Sequence, residues 1–184
     1  MIKATVKTKN RKQLYYDNET DPMWKIEVQA LIPWFMGKGV DIGCGARTID
    51  KEIVRCDIDK LVKPDVLCSG DDTPFKDGEF DFICSIHSFE HFADPRKLLT
   101  EWLRIIKKGG IIGIVHPDIM YTKKQNPVMD NPGLKENPYN RHYHEHTLES
   151  FINKLKDWED LPFKLIDYGM ACSSWSFYAI LKKT

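Results

Sequence analysis

Apolar residues fall along this chain in two alternating patterns. Short apolar runs begin near Val40 and recur at 53–57, 65–68, 80–86 and 111–115, each of strand length. The run at 80–86 is apolar enough to be a central strand covered on both faces. Between the runs, apolar residues repeat at helical spacing. Ile26, Ala30, Leu31 and Trp34 follow Asp21 and Pro22, a helix cap with proline at the first helical position, and Gly37 and Gly39 end that segment. Leu98, Leu99, Trp102, Leu103 and Ile106 form a stripe behind Asp94 and Pro95, with Arg104, Lys107 and Lys108 outside it and Gly109 and Gly110 as its stop. Thr147 caps a third helix over 148–158, whose stripe is Leu148, Phe151, Ile152 and Leu155. Two strand patterns close the chain at 163–168 and 175–181. Their connection is too short for a crossover, so they pair antiparallel. From 119 to 143 the pattern lapses, and Pro127, Pro132, Gly133 and Pro138 exclude a long regular element.

Where the first strand ends, Val40-Asp41-Ile42-Gly43-Cys44-Gly45-Ala46-Arg47 turns the chain on two glycines. Glycine permits the tight turn and leaves no Cβ between the peptide groups and a ligand. The third position of a dinucleotide fingerprint holds Thr48, and no G-K-[ST] follows. The next run ends in Asp57, a carboxylate that can accept both hydroxyls of a ribose; Asp59 competes for the role, and a plain surface acid is the bland alternative. Between Arg47 and Ile53 there is no room for a crossover helix, so that connection is abbreviated. Asp57 also arrives too early for a nicotinamide-binding unit.

The loop 41–45, Asp57, the segment 73–81, the pair Glu90-His91 and the run 103–110 follow one another in the order of a class I S-adenosylmethionine-dependent methyltransferase. The chain resembles the small type with a shortened first helix, closely over 38–118. The resemblance implies an α/β, Rossmann-like open twisted sheet, mostly parallel, with an antiparallel C-terminal hairpin and helices on both faces. It implies S-adenosylmethionine as cofactor, held by Asp41, Gly43, Cys44, Gly45, Asp57, Ile58, Ser69, Gly70, Asp71 and Ser85. Loop carbonyls would receive the cofactor's ammonium, and Asp57 its ribose. The family places an acid after the third strand for the adenine amino group. Ser69 stands there instead, with Asp71 and Asp72 beyond. Glu90 and His91 match a structural pair that supports the loop after the fourth strand.

Composition narrows the partners. The chain has 184 residues with 27 basic and 27 acidic side chains, so its formal net charge is zero. That gives no electrostatic reason for nucleic-acid or membrane binding, and nothing in the N-terminal stretch reads as a signal peptide, so a cytoplasmic protein is expected. Five cysteines lack C-x-x-C spacing, which suggests neither a disulfide framework nor a zinc cluster. Residues 1–21 read as a tail or lid, 22–184 as a single domain, and 119–146 as an insertion over the ligand crevice.

The candidate chemistry is histidine-rich. His87 follows the fourth strand and His116 ends the fifth, both on the ligand side of a parallel sheet. With His144 they are the candidate catalytic groups, as a base, a hydrogen-bond donor or packed side chains. Asp118, Tyr139, Arg141, His142 and His146 are candidates for acceptor binding. Imidazoles at 142, 144 and 146 would share one face of an extended segment and could hold zinc or nickel, but no cysteine is near and no metal is expected. The function expected is methyl transfer to a small-molecule acceptor. A methyltransferase-like binding or regulatory domain without turnover is the alternative.

Overall fold

A computed structural model describes residues 23–120, 142–172 and 175–184. Seven strands form one sheet in the order β3-β2-β1-β4-β5-β7-β6. These are β1 (Gly39–Ile42), β2 (Val54–Asp57), β3 (Val66–Leu67), β4 (Phe80–Ile86), β5 (Ile106–Pro117), β6 (Phe163–Cys172) and β7 (Ser176–Lys183). β1 to β5 pair parallel, and β7 joins β5 and β6 antiparallel. Strand order reverses beside β1, so the carboxyl ends of β1 and β4 open onto a crevice, the place where open α/β sheets bind ligands. As the short spacing predicts, turns and loop connect β1 to β2 without a helix.

Alternation along β4 and β5 divides the core into two layers. Ile83, Ile112 and Ile114 face α2 (Pro95–Ile105) and α3 (Leu148–Lys156), together with Leu98, Leu99, Trp102, Phe151 and Leu155. Phe82, Cys84, Ile86 and Val115 face the other way, under Trp24, Val28, Leu31 and Phe35. The Phe35 and Phe82 rings stack with centroids 4.3 Å apart. α2 starts where expected: Asp94 Oδ1 accepts from the backbone of Arg96 and Lys97 at 3.1 and 2.9 Å. α3 begins with Thr147, and Thr147 and Ser150 exchange capping bonds.

Three expected elements differ in extent. The first helical segment is a five-residue α1 (Met23–Glu27) followed by 3-10 turns at Val28–Ala30 and Ile32–Trp34. Its buried side is Trp24, Glu27, Val28, Leu31 and Phe35, while Ile26 is 52% exposed. α2 stops at Ile105, so Lys107 and Lys108 lie in β5 rather than in a last helical turn. The closing hairpin is longer than its apolar pattern. In β6 the exposed positions include Ile166, Tyr168 and Met170, so the edge strand does not end where burial does.

Candidate functional site

The glycine loop is built around two arginines. Gly43 and Gly45 both have positive φ, 70° and 54°, which only glycine adopts without strain. A Cβ on Gly43 would strike Ser88 Oγ at 2.0 Å, whereas one on Gly45 would meet nothing within 4 Å. The loop is therefore packed at its first glycine and open at its second. Arg47 bridges to both oxygens of Asp41, at 2.9 and 2.7 Å, and donates to the carbonyls of Gly43 and Ile86. Arg55, a charged residue inside an apolar run, donates to the carbonyls of Gly45, Arg47, Val62 and Lys63. The expected loop carbonyls and Asp41 are thus engaged within the chain. Asp41 is 1% exposed and acts on the loop through Arg47. Cys44 is buried, and burial together with Asp41 pushes its thiol up to about 12. Its side chain is enclosed, with Sγ donating to the Gly45 carbonyl at 3.3 Å.

Asp57 stands at the tip of β2 facing this loop. One oxygen accepts from Gly45 N at 2.8 Å, the other from Asp59 N at 2.8 Å. Each carboxylate oxygen has a second lone pair free for a further donor. Asp59, the other acid read at this strand end, caps the turn at Lys60–Val62 through Leu61 N. Ile58 is 47% exposed beside it. Behind Asp57, the free thiols of Cys56 and Cys68 approach to 2.7 Å. The next turn carries Ser69, Gly70 and Asp71. Ser69 Oγ donates to Asp71, whose other oxygen pairs with Lys97 at 2.9 Å. Gly70 has no room for a Cβ, which would meet Ile42 at 2.5 Å, and its carbonyl accepts from Trp102 Nε1. Ser85 lies fully buried in β4, its hydroxyl without a partner among the described residues.

At the end of β4 the backbone turns sharply. His87 has φ 51°, a conformation rare for a residue with a side chain and one that clusters at functional sites. Its ring is held by Glu27 of α1 at 2.8 Å. Burial would lower the His87 pKa, but the Glu27 bond and charge outweigh it and raise it, favouring the imidazolium. Glu27 lies on a buried helix face between Trp24 and Leu31. An acid at such a position is the signal in the sequence that could have found it.

The other histidines separate. His116 is fully buried, stacked on Phe177 at 5.1 Å, with Nδ1 donating to the Pro117 carbonyl and Nε2 unpartnered among the described residues. Burial lowers its pKa and keeps it neutral. It belongs to the core and is out of an acceptor's reach. Asp118 also departs from expectation: its oxygens accept from Met120 N and Leu148 N, so it joins the end of β5 to α3. His146 packs on Phe151 and His116, and burial, then those neighbouring imidazoles, drop it to about 4. His144 donates to Ala93 O at 3.2 Å. His142 instead meets His91, rings 4.8 Å apart, because Tyr143 N donates to the Glu90 carbonyl at 2.8 Å and docks this segment on the loop after β4. Of the three alternating imidazoles, His144 and His146 stack with centroids 6.3 Å apart, while His142 turns away to His91, so the three do not meet at one point. Tyr139 and Arg141, and most of the 119–146 insertion, lie outside the described residues, as does the 1–21 segment.

Residues 40–114 match the methyltransferase domain family. An uncharacterized protein of Methanocaldococcus jannaschii is 33% identical over 129 residues, 59% of this chain and 62% of that protein. The chloroplastic tocopherol O-methyltransferase of Arabidopsis thaliana is 46% identical over 44 residues, 24% of this chain and 13% of that enzyme. The chain therefore spans less than two thirds of the length of these relatives. In fold it is similar to a Haloferax volcanii methyltransferase in complex with the Trm112 activator, at TM-score 0.66, 14% identity and coverage of 88% and 89% of the two chains. A SAM-dependent methyltransferase from Aquifex aeolicus matches at TM-score 0.60 and 15% identity, over 95% and 97%. Among the described residues no helix is long and apolar enough to cross a membrane. With its glycine loop, the carboxylate of β2 and the reversed hairpin at the sheet edge, the chain has the fold of the S-adenosylmethionine-dependent methyltransferases and is similar over residues 40–114 to the methyltransferase domain family.

Proposed function

We propose that this chain transfers the methyl group of S-adenosylmethionine to a small-molecule acceptor at the carboxyl ends of β4 and β5. The observation that carries this reading is the Gly45–Asp57 contact. It sets a carboxylate with spare lone pairs beside loop backbone that is open on its ligand side. The residues fit the cofactor. Asp57 would hold the ribose, Ile58 would cover one face of the base, and the turn of Ser69, Gly70 and Asp71 would border its edge. Gly43, Cys44, Asp41 and Ser85 would shape the loop from behind. When bound, the cofactor supplies a methyl already activated on a sulfonium, so the protein's task is alignment and exclusion of water.

His87 is the side chain offered to the reacting centre. Pinned by Glu27 and favouring its charged form, it acts better as a hydrogen-bond donor to the acceptor than as a base. His144 and His142, with Tyr139 and Arg141, remain the candidates for the acceptor side. The neutral overall charge favours a small acceptor over nucleic acid.

Calorimetric titration with S-adenosylmethionine and S-adenosylhomocysteine tests this, on the wild type and on Asp57→Ala and Asp57→Asn. Expected is micromolar binding, lost in Asp57→Ala and weakened in Asp57→Asn, which keeps an acceptor for Gly45 N. Folded wild-type protein giving no heat with either ligand sinks the reading. Cofactor binding without transfer to any acceptor class supports the non-catalytic alternative.

A further inference from the structure

Glu90 is 1% exposed, and its Oε2 has no hydrogen-bond partner among the described residues. A buried carboxylate oxygen left unanswered is costly and therefore rare. His91 Nε2 and His87 Nδ1 each lie 3.9 Å from Oε1, too far for a hydrogen bond. The ligand atoms of Glu90, His91 and His142 all fall within 4.8 Å of one another. Backbone bonds hold them there. His91 N donates to Ser88 O at 3.0 Å in the turn after β4, and Tyr143 N donates to the Glu90 carbonyl at 2.8 Å, fixing the segment that carries His142.

We propose that Glu90, His91 and His142 bind a divalent transition-metal ion. Donors around a tetrahedral ion, each at about 2.1 Å, sit roughly 3.4 Å apart. The Glu90–His91 separation of 3.9 Å is near that already. The widest separation of 4.8 Å closes by a small swing of a partly exposed imidazole. Two imidazoles and one carboxylate suit zinc, cobalt or nickel; magnesium and calcium ask for more oxygen ligands. An ion held by both oxygens of Glu90 would also answer the orphaned Oε2. Three protein ligands leave at least one position open, and it would face the crevice end of β4. If the methyl-transfer reading holds, on which this clause rests, that position would take an acceptor hydroxyl and lower its pKa, its proton passing to solvent water. The pair read from sequence as a purely structural support for the loop would then be a metal centre, and the ligand from the histidine-rich segment is its first imidazole.

The test is titration of chelator-treated, full-length protein with zinc and with cobalt, followed by calorimetry and by cobalt ligand-field absorption. Expected is one ion per chain, with affinity falling about tenfold or more when a ligand is removed in His142→Ala or His91→Ala. Glu90→Gln should do the same. Should that buried change prevent folding, His142→Ala carries the test, because its side chain is partly exposed. Binding unchanged in His142→Ala, or lost only in His144→Ala combined with His146→Ala, overturns the assignment. Calorimetry with S-adenosylmethionine on the same metal-free protein separates the two readings. Metal binding without cofactor binding upholds the site and sinks methyl transfer alone; cofactor binding without metal binding sinks the site alone.

Discussion

The Glu27 carboxylate lies on the inner side of α1 and is answered from two directions. His87 Nε2 donates to it at 2.8 Å and Ser176 Oγ at 2.5 Å. This one side chain therefore links the first helix, the strained residue after β4 and the start of β7. Removing it takes away the acceptor that the His87 imidazole and the buried Ser176 hydroxyl share. Breaking a buried pair on one side is costly, and Glu27→Ala should lower stability by about 3 kcal/mol, read from the urea midpoint at neutral pH. Glu27→Gln, which keeps an acceptor for both donors, should recover part of the loss. A midpoint unmoved in Glu27→Ala would mean that the pair contributes nothing. The sequence could show the reason for His87's position at a strand end but not its partner. The two are 60 residues apart, and only tertiary packing joins them. The glycine loop was legible because its constraint is local: positive φ at Gly43 and Gly45 is a property of the turn itself. The arginines that fill its carbonyls follow from packing and were not legible.

Among the elements, strands were easier to read than the first helical segment. β4 occupies the apolar run at 80–86, since burial on both faces leaves no ambiguity of side. The first segment kept its location but not its face. A stripe spaced for 3.6 residues per turn selects Ile26, Ala30, Leu31 and Trp34, of which Leu31 is fully buried, yet the chain tightens into 3-10 turns after Glu27. At three residues per turn the buried side drifts, which turns Phe35 inward and leaves Ile26 out. α2 shows how an element is fastened beyond its stripe. Glu101 accepts from Thr73 N and Oγ1 and from Arg104, while Arg104 also donates to Asp77 and to the Phe75 carbonyl. The helix is thereby tied to the turn that precedes β4. Burial pushes the Glu101 carboxyl up, but the bonds from Arg104 and Thr73 outweigh it and hold it below its ordinary value of 4.5. A group depressed on folding contributes stability that is complete above its unfolded pKa and is lost as pH falls through the folded one. Glu101→Gln should therefore be less stable than the wild type at neutral pH. The gap should narrow as pH drops below about 4.5, measured by urea unfolding across the acid range. A gap independent of pH would show that the charge is not what holds the tether.

For the molecule as a whole, the two core layers are unequal in what covers them. One face of the sheet is packed by α2 and α3, which are separate in sequence and together bury Leu98, Leu99, Trp102, Phe151 and Leu155. The other face, among the described residues, is covered chiefly by the stretch from 23 to 35, with Ile49 of the β1–β2 connection beside it. Trp24, Val28, Leu31 and Phe35 there cover Phe82, Cys84, Ile86, Val115 and Ile180, which lie on three neighbouring strands at the centre of the sheet. Burying one large apolar side chain stabilises by about 1.5 to 3 kcal/mol, and a domain's whole net stability is about 5 to 15 kcal/mol. Losing four such side chains and uncovering the five beneath them exceeds that margin. The same stretch carries Glu27, so its removal also releases His87 from the posture it holds at the crevice. A chain beginning at Lys38 keeps every strand, the glycine loop and Asp57, and by motif content alone would pass for an intact cofactor-binding domain. It should nevertheless fail to unfold cooperatively in urea, lose near-ultraviolet dichroism and bind hydrophobic dye strongly. Should it unfold with the midpoint of the full chain, the second layer is dispensable, and the sheet is held by the α2–α3 face alone.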